Sequence, residues 1–381
     1  MHWLELFFDL AIVAYIGQVA VAMHGDPSWV DAAEFAGFLA AAWWAWVNAT
    51  LTLNLFGVRI TPSIWISVTI AMIAIGVMAA AIPGALDERA AAFAVGNALI
   101  RIIWAVPWFL GRRTIGYPWW RSVIYCGVPA SLWLVSTVVA PPGKYVLWAA
   151  AVAIEVVLLS FLDGQQAMGD ALDVNHLAER VGLLVVIVFG ESILTTIAEL
   201  DLHWGLSSGV AAVLGFAAVA MLAWIYFTHA TSATERGLQR LQARGSLNAI
   251  RDTVMYLPFL LVAGVTLFAA ALGTAVADAE HHLPLGAVLS LSAGISLFFI
   301  ASALEFLRYG LAWRGVAAWA AAGIVLPWAL VPLSTQLTAE AIVVSSAGII
   351  AIVLVLVEIS ARRTASARSA STPEADPASS M

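Results

Sequence analysis

Residues 253–276 read TVMYLPFLLVAGVTLFAAALGTAV, an unbroken stretch without a charge, with Arg251 and Asp252 at one end and Asp278 just past the other. A helix needs roughly 20 apolar residues to cross the hydrocarbon core of a bilayer, so this segment is long enough to span. Comparable runs occupy 3–23, 33–53, 63–85, 91–110, 121–140, 145–162, 181–199, 207–228, 284–305, 315–334 and 340–360. The basic residues sort themselves among the gaps. Arg59, Arg112, Arg113, Arg121, Arg180, Arg236, Arg240, Arg244, Arg251, Arg308, Arg314, Arg362, Arg363 and Arg368 fall in every second gap, while Arg89 and Lys144 lie on the other side and Arg101 inside a run. Short loops rich in Lys and Arg stay cytoplasmic. The reading is an all-α, polytopic integral membrane protein of about 12 transmembrane helices, with both termini cytoplasmic.

Composition agrees. Charged residues make up 11% of the chain, against about a quarter in soluble domains. Trp3, Trp29, Trp65, Trp119, Trp120, Trp204 and Trp313 stand near run ends, as interfacial anchors do. No basic patch suggests nucleic acid, so the bilayer itself is the expected partner. The lone Cys126 excludes an intrachain disulfide and a cysteine metal cluster. The first run lacks a positive leading region and carries Glu5 and Asp9 early, so it reads as a retained helix rather than a cleavable signal. With Trp3 already at the interface, either the segment before it is very short or the natural start lies upstream. Residues 362–381, rich in Ser, Ala and Pro, read as a disordered cytoplasmic tail.

The connection at 163–180 divides the runs six and six. Six crossings return the chain to its starting side, so two such halves, 1–172 and 173–361, would be parallel repeats about an axis along the membrane normal. Glu5 leading into Gly17-Gln18 parallels Glu179 leading into Gly190-Glu191. Trp43-Trp44-Ala45-Trp46-Val47 parallels Ala223-Trp224-Ile225-Tyr226-Phe227.

These same segments carry a family resemblance. Leu4-Glu5-Leu6-Phe7-Phe8-Asp9-Leu10 with the Trp43–Trp46 stretch resembles the opening of the bacterial low temperature requirement A (LtrA) family. His176-Leu177-Ala178-Glu179-Arg180-Val181-Gly182-Leu183, running into Val188-Phe189-Gly190-Glu191-Ser192-Ile193, is similar to its most distinctive block. Arg251-Asp252, Tyr256-Leu257 and Val262-Ala263-Gly264 continue the likeness. The resemblance covers nearly the whole chain and implies a multi-pass protein of the bacterial inner membrane with a link to growth in the cold. It implies no settled biochemical activity. The chain departs from the family pattern at Gly57, Thr228 and Pro258, where the family tends to carry Asp, an acidic residue and His, and it lacks the basic residue before the opening block.

Ionisable groups inside a membrane are costly and mark function by default. Asp9 lies roughly 9 Å into the first run at 1.5 Å per residue, and Arg101, Glu155 and Glu191 sit near the midplane. Arg101 is expected to pair with Glu155 or Glu191, leaving the other carboxylate for a cation or proton. A pair that only locks helices together is the alternative for Arg101 and Glu155. Glu191, Ser192 and Thr195 share adjoining parts of one helix surface, and with Asp9 and Gln18 they form the candidate ion or substrate pathway. His176, Glu179 and Arg180 mark its cytoplasmic entrance, or a plain interfacial charge cluster. Asp278, Glu280, His281 and His282 read as a solvated loop, and no metal or cofactor is expected. Neither a phosphate-binding loop nor a hydrolase motif is present.

Three functions stay open. One is an ATP-independent channel or transporter for a monovalent cation, proton or small solute. The Phe7-Phe8-Asp9 triplet is similar to the Phe-Ser-Asp motif of some potassium channels, without its Ser and without a copy in the second half. The others are a non-catalytic membrane organiser or sensor for cold growth, and a membrane-embedded lipid-handling enzyme.

Overall fold

A computed structural model of the chain describes residues 3–57, 61–111, 118–160 and 172–370. Among the described residues the regular elements are helical, apart from one isolated bridge between His282 and Thr338. The first half holds α1 (Trp3–Ala20), α2 (Trp29–Phe56), α3 (Pro62–Ala81), α4 (Ala90–Gly111), α5 (Trp119–Ser122), α6 (Val128–Ser136) and α7 (Gly143–Ser160). The second holds α8 (Val174–Leu202), α9 (Leu206–Ile225), α10 (Thr231–Ala243), α11 (Leu247–Met255), α12 (Leu257–Ala277), α13 (Leu285–Arg308), α14 (Trp313–Val325), α15 (Leu330–Leu333) and α16 (Ala339–Ala370). Each expected run centres on helix.

Nine helical segments among the described residues are long and apolar enough to cross a membrane. The α2, α5–α6 and α7 segments do not meet that standard. For α2 the reason is visible in its surroundings. All residues from Ala41 to Asn54 are buried, so this stretch meets protein on every side and needs no lipid-facing surface. It carries Asn48, Thr50, Thr52 and Asn54, polar groups that lipid would penalise and neighbouring helices satisfy. Helix α12 is almost as enclosed and crosses α13 closely. A Cβ on Gly264 would lie 2.7 Å from the Gly294 carbonyl oxygen and 2.8 Å from the Phe298 nitrogen, the small-residue contact that lets membrane helices approach.

Prolines break several segments. Pro83 lies in a 3₁₀ turn after α3, Pro258 opens α12, and Pro327 lies in a 3₁₀ turn between α14 and α15. Pro107 sits inside α4, which continues through it. A π turn at Val123–Gly127 joins α5 to α6, just before Pro129. One expectation needs correction, and one gap between runs is structured. The 229–252 connection is itself helical: a π turn at Tyr226–Ala230 carries α9 into α10, and Gly245 at φ 65° reverses the chain into α11. The tail expected from 362 begins as helix, because α16 continues to Ala370 through alanines and arginines that favour helix; residues 371–381 lie outside the described ones.

Helix α1 packs on α2, α3, α8 and α12. The contact between α1 and α8 joins the two halves and positions the site.

Candidate functional site

Arg180, fully buried on α8, bridges two carboxylates of α1. Its Nη1 donates to Glu5 Oε2 at 3.3 Å and its Nη2 to Asp9 Oδ1 at 3.0 Å. The guanidinium lies 5.8 Å from the Trp46 ring centre, and the Trp46 indole N–H donates to the same Asp9 oxygen at 2.9 Å. Glu5 and Asp9 are four apart, one turn of α1, and His176 and Arg180 are one turn of α8. Residues at that spacing share a helix face, so two short pairs of side chains meet across the interface.

The hydrogen bonds assign the protonation of His176. Asn54 is held by the Asp173 backbone on both ends, its Nδ2 donating to the Asp173 carbonyl at 2.9 Å and its Oδ1 accepting from the Asp173 amide at 3.1 Å. That orientation points Nδ2 at His176 Nδ1, 3.0 Å away, which must therefore accept. The hydrogen then resides on Nε2, which donates to Glu5 Oε2 at 2.8 Å. With His176 neutral, two carboxylates face one guanidinium and the cluster carries a formal excess of one negative charge. Asp9 Oδ2 is buried without a hydrogen-bond partner, as is Arg180 Nε. A carboxylate oxygen buried without a partner is costly, and either a proton or a cation would satisfy it.

Farther along the same seam, Glu191 of α8 packs against Gly17 of α1. A Cβ on Gly17 would fall within hard contact of Glu191 Oε1, so a larger residue there would make the carboxylate swing aside. Among the described residues Glu191 forms no ion pair or hydrogen bond. Between Arg180 and Glu191, about 16 Å along the helix, the seam is apolar: Ile12, Val13 and Ile16 of α1 and Leu184, Val185 and Val188 of α8 are buried. Beyond Glu191 lie Thr195, Glu199 and His24, gathered around Gly273 of α12. His24 Nδ1 is 3.9 Å from Glu199 Oε1, and its Nε2 is buried without a hydrogen-bond partner. Burial holds the His24 imidazole below its ordinary range, partly offset by the Glu199 carboxylate. From His176 to Glu199 the polar groups extend over roughly 35 Å of helix, more than the ~30 Å hydrocarbon core.

Arg101 and Glu155 form a separate buried pair, so Glu191 is not the partner of Arg101. Arg101 Nε and Nη2 donate to Glu155 Oε2 at 3.1 and 2.6 Å, Nη1 donates to Asn97, and Asn48 Nδ2 donates to Glu155 Oε1 at 3.1 Å. This pair is neutral and saturated, and it ties α4 to α7 and α2. The Ser192 and Thr196 hydroxyls donate to the backbone of their own helix. Gln18 faces away: it is exposed, because position 18 is rotated about 100° from Gly17 around the helix. Glu179 is also exposed. In the 278–282 loop, His281 pairs with Asp278 and His282 contacts the Leu337 carbonyl. Among the described residues no three His, Cys, Asp or Glu side chains converge as a metal site.

Trp46, Asn48, Asn54, His24 and Glu199 were not among the expected site residues. The signal for two of them was available, since amide side chains at 48 and 54 interrupt an otherwise apolar run.

The family model described as bacterial low temperature requirement A protein (LtrA) matches residues 1–357. The chain belongs to the LtrA family. The match takes in both sides of the α1–α8 seam. The LtrA protein is also similar to an uncharacterized protein, RA0937, of Rhizobium meliloti (strain 1021), at 29% identity over 239 residues. That stretch is 58% of this chain and 57% of its relative. The three positions expected to depart from the family pattern lie off the seam: Gly57 follows α2, Thr228 is in the π turn after α9, and Pro258 opens α12.

Proposed function

We propose that this LtrA protein is an ATP-independent translocator of a proton or small monovalent cation in the bacterial inner membrane, with the α1–α8 seam as its pathway. The observation that carries the reading is the charge imbalance of the Glu5–Asp9–Arg180–His176 cluster, with its unpartnered Asp9 oxygen. A closed ion pair would only fasten helices, as Arg101 and Glu155 do. A cluster one positive charge short of neutral offers a site for an ion, and Glu191 offers the next. The apolar section between them makes this arrangement a closed one, so passage requires α1 and α8 to separate there.

The proposal includes twelve crossings in two parallel halves, 1–172 and 173–361, with cytoplasmic termini. The order of neighbours supports it. In the first half α1 packs on α2 and α3, α3 on α4, α4 on α6, α6 on α7, and α7 on α2. In the second, α8 packs on α9 and α12, α12 on α13, α13 on α14, α14 on α16, and α16 on α9. The fifth unit of each half is interrupted, by a π turn in one and a 3₁₀ turn in the other. The bridge from Arg180 to α1 also suits a membrane organiser or sensor, including one for growth in the cold.

Flux separates the two. The purified protein in liposomes, under potassium, sodium and proton gradients, is compared with Asp9→Asn and Glu191→Gln. At least a tenfold loss of flux in both variants, with folding intact, is the expected result. No flux by the unaltered protein under any of these gradients would sink the pathway and leave the organiser.

A further inference from the structure

Glu305 stands buried in the last turn of α13, and among the described residues no cation acts on it. Its partners are hydroxyls. Tyr309 Oη donates to Glu305 Oε1 at 3.1 Å, and Thr234 Oγ1 of α10 lies 3.2 Å from the same oxygen. Thr234 has one hydroxyl hydrogen and a nearer acceptor, the Ala230 carbonyl at 2.9 Å. With that hydrogen on the carbonyl, the contact to Glu305 is made by a hydrogen on the carboxyl itself. A neutral acid, accepting from Tyr309 and donating to Thr234, completes all three contacts. A carboxylate leaves Thr234 to divide one hydrogen between two acceptors.

The charged groups of the surrounding elements are placed elsewhere. Arg308 donates to Asp252 of α11 at 3.1 Å, and Arg251 pairs with the same carboxylate. His229 of the π turn after α9 pairs with Glu358 at 3.0 Å, and Tyr226 of that turn is a buried phenol. Glu235 and Arg236 of α10 are exposed, Arg314 of α14 stacks on Trp313, and α12 carries no charged residue. An ionised Glu305 would therefore be an uncompensated charge in a buried site, which is costly.

Helix α10 is a strap between two parts of the second half. At one end Thr234 meets Glu305, and a Cβ on Gly237 would collide with the Tyr309 ring, so the helix lies hard against the end of α13. Toward the other end Gln239 Nε2 donates to Asn175 Oδ1 at 2.9 Å, and Gln242 Nε2 to the Leu172 carbonyl at 3.0 Å. Asn175 is the neighbour of His176, so the strap is fastened beside the His176 end of the α1–α8 seam.

We propose that Glu305 is a proton-operated latch for α10: the neutral acid holds the helix between α8 and α13, and loss of its proton releases it. The sign follows from the contacts. Raising the pH removes the hydrogen given to Thr234 and puts a charge where only hydroxyls face it, so the fastened position is favoured by acid and lost toward alkaline pH. The latch would serve a translocator or an organiser alike, and it does not rest on the reading of the seam.

The test is hydrogen–deuterium exchange of the full chain in detergent, from about pH 5.5 to about pH 9, corrected for the intrinsic exchange rate. Protection of 231–243 should fall with rising pH by up to about tenfold per pH unit, the slope of release linked to one proton. The 257–277 segment of α12 should stay protected throughout, which separates release from unfolding. Glu305→Gln, whose amide donates to Thr234 and accepts from Tyr309 as the neutral acid does, should keep α10 protected at every pH. Thr234→Val, which removes the acceptor, should leave α10 less protected already at the acid end. Protection of α10 that ignores pH in the unaltered chain, a fall shared by α12, or an unaltered profile in both variants would each overturn the proposal.

Discussion

Replacing Arg101 with Met tests whether the second buried charge cluster is a closed lock. The change strips Glu155 Oε2 of both guanidinium donors and leaves the carboxylate with the Asn48 amide alone. Both side chains are fully buried. Removing one partner of such a pair costs about 3–5 kcal/mol, because the survivor is left uncompensated. Glu155→Leu should cost about the same, since it strands Arg101 Nε and Nη2. The double variant removes both charges and leaves the Asn48 and Asn97 amides short of partners, about 2 kcal/mol in total at roughly 1 kcal/mol each. The singles sum to about 6 kcal/mol or more, so the coupling energy is at least about 4 kcal/mol. The assay is thermal unfolding in mild detergent, followed by tryptophan fluorescence, with Trp133 5.5 Å from the guanidinium. At about 2 °C per kcal/mol, each single variant should lose roughly 6–10 °C and the double only about 4 °C. A double variant that loses the sum of the two singles would refute the reasoning.

Gly264→Leu should prevent the close crossing of α12 and α13, since its first side-chain atom already meets backbone of α13 at 2.7–2.8 Å. Overpacking against backbone costs about 1–3 kcal/mol or more, and size-exclusion chromatography should show loss of the monodisperse species. The pH dependence of stability should carry the mark of His24. Burial lowers its folded-state affinity for protons, so below about pH 6.5 the unfolded chain binds a proton that the folded chain refuses. Stability then rises with pH through that window. In His24→Asn, unfolding followed from pH 5 to 7.5 should lose that slope, and an unchanged slope would assign it elsewhere.

Helix positions were legible because lipid imposes length and polarity on any segment that faces it. The same rule says less about α2, although the run 33–53 marks it. Its Ala41–Asn54 stretch never meets lipid, so its polar side chains carry information about neighbours rather than about the membrane. Of the ionisable residues of the seam, Asp9 and Glu191 could be recognised singly because they stand out at depth, whereas Arg180 reads as a loop residue before 181 and only the packed helices show it buried. The partnerships could not be recognised. Spacing along one helix says nothing about which face of another will meet it, and so Arg180 with Asp9, or Gly17 with Glu191, required the packed helices. Gln18 shows the limit at its sharpest: one position along α1 separates a residue that opens space for Glu191 from one that points outward.

The enclosure of α2 bears on how the protein is made. This helix is made well before its partners, and its polar groups find their acceptors far downstream. Asn48 donates to Glu155, 107 residues later, Asn54 to Asp173, 119 later, and the Trp43 indole to the Met255 carbonyl, 212 later. Until those segments are synthesised, α2 holds a set of donors that the insertion machinery must shelter or leave in water. Its final seating is therefore a late event of biogenesis, completed only when the second half of the chain arrives to receive it.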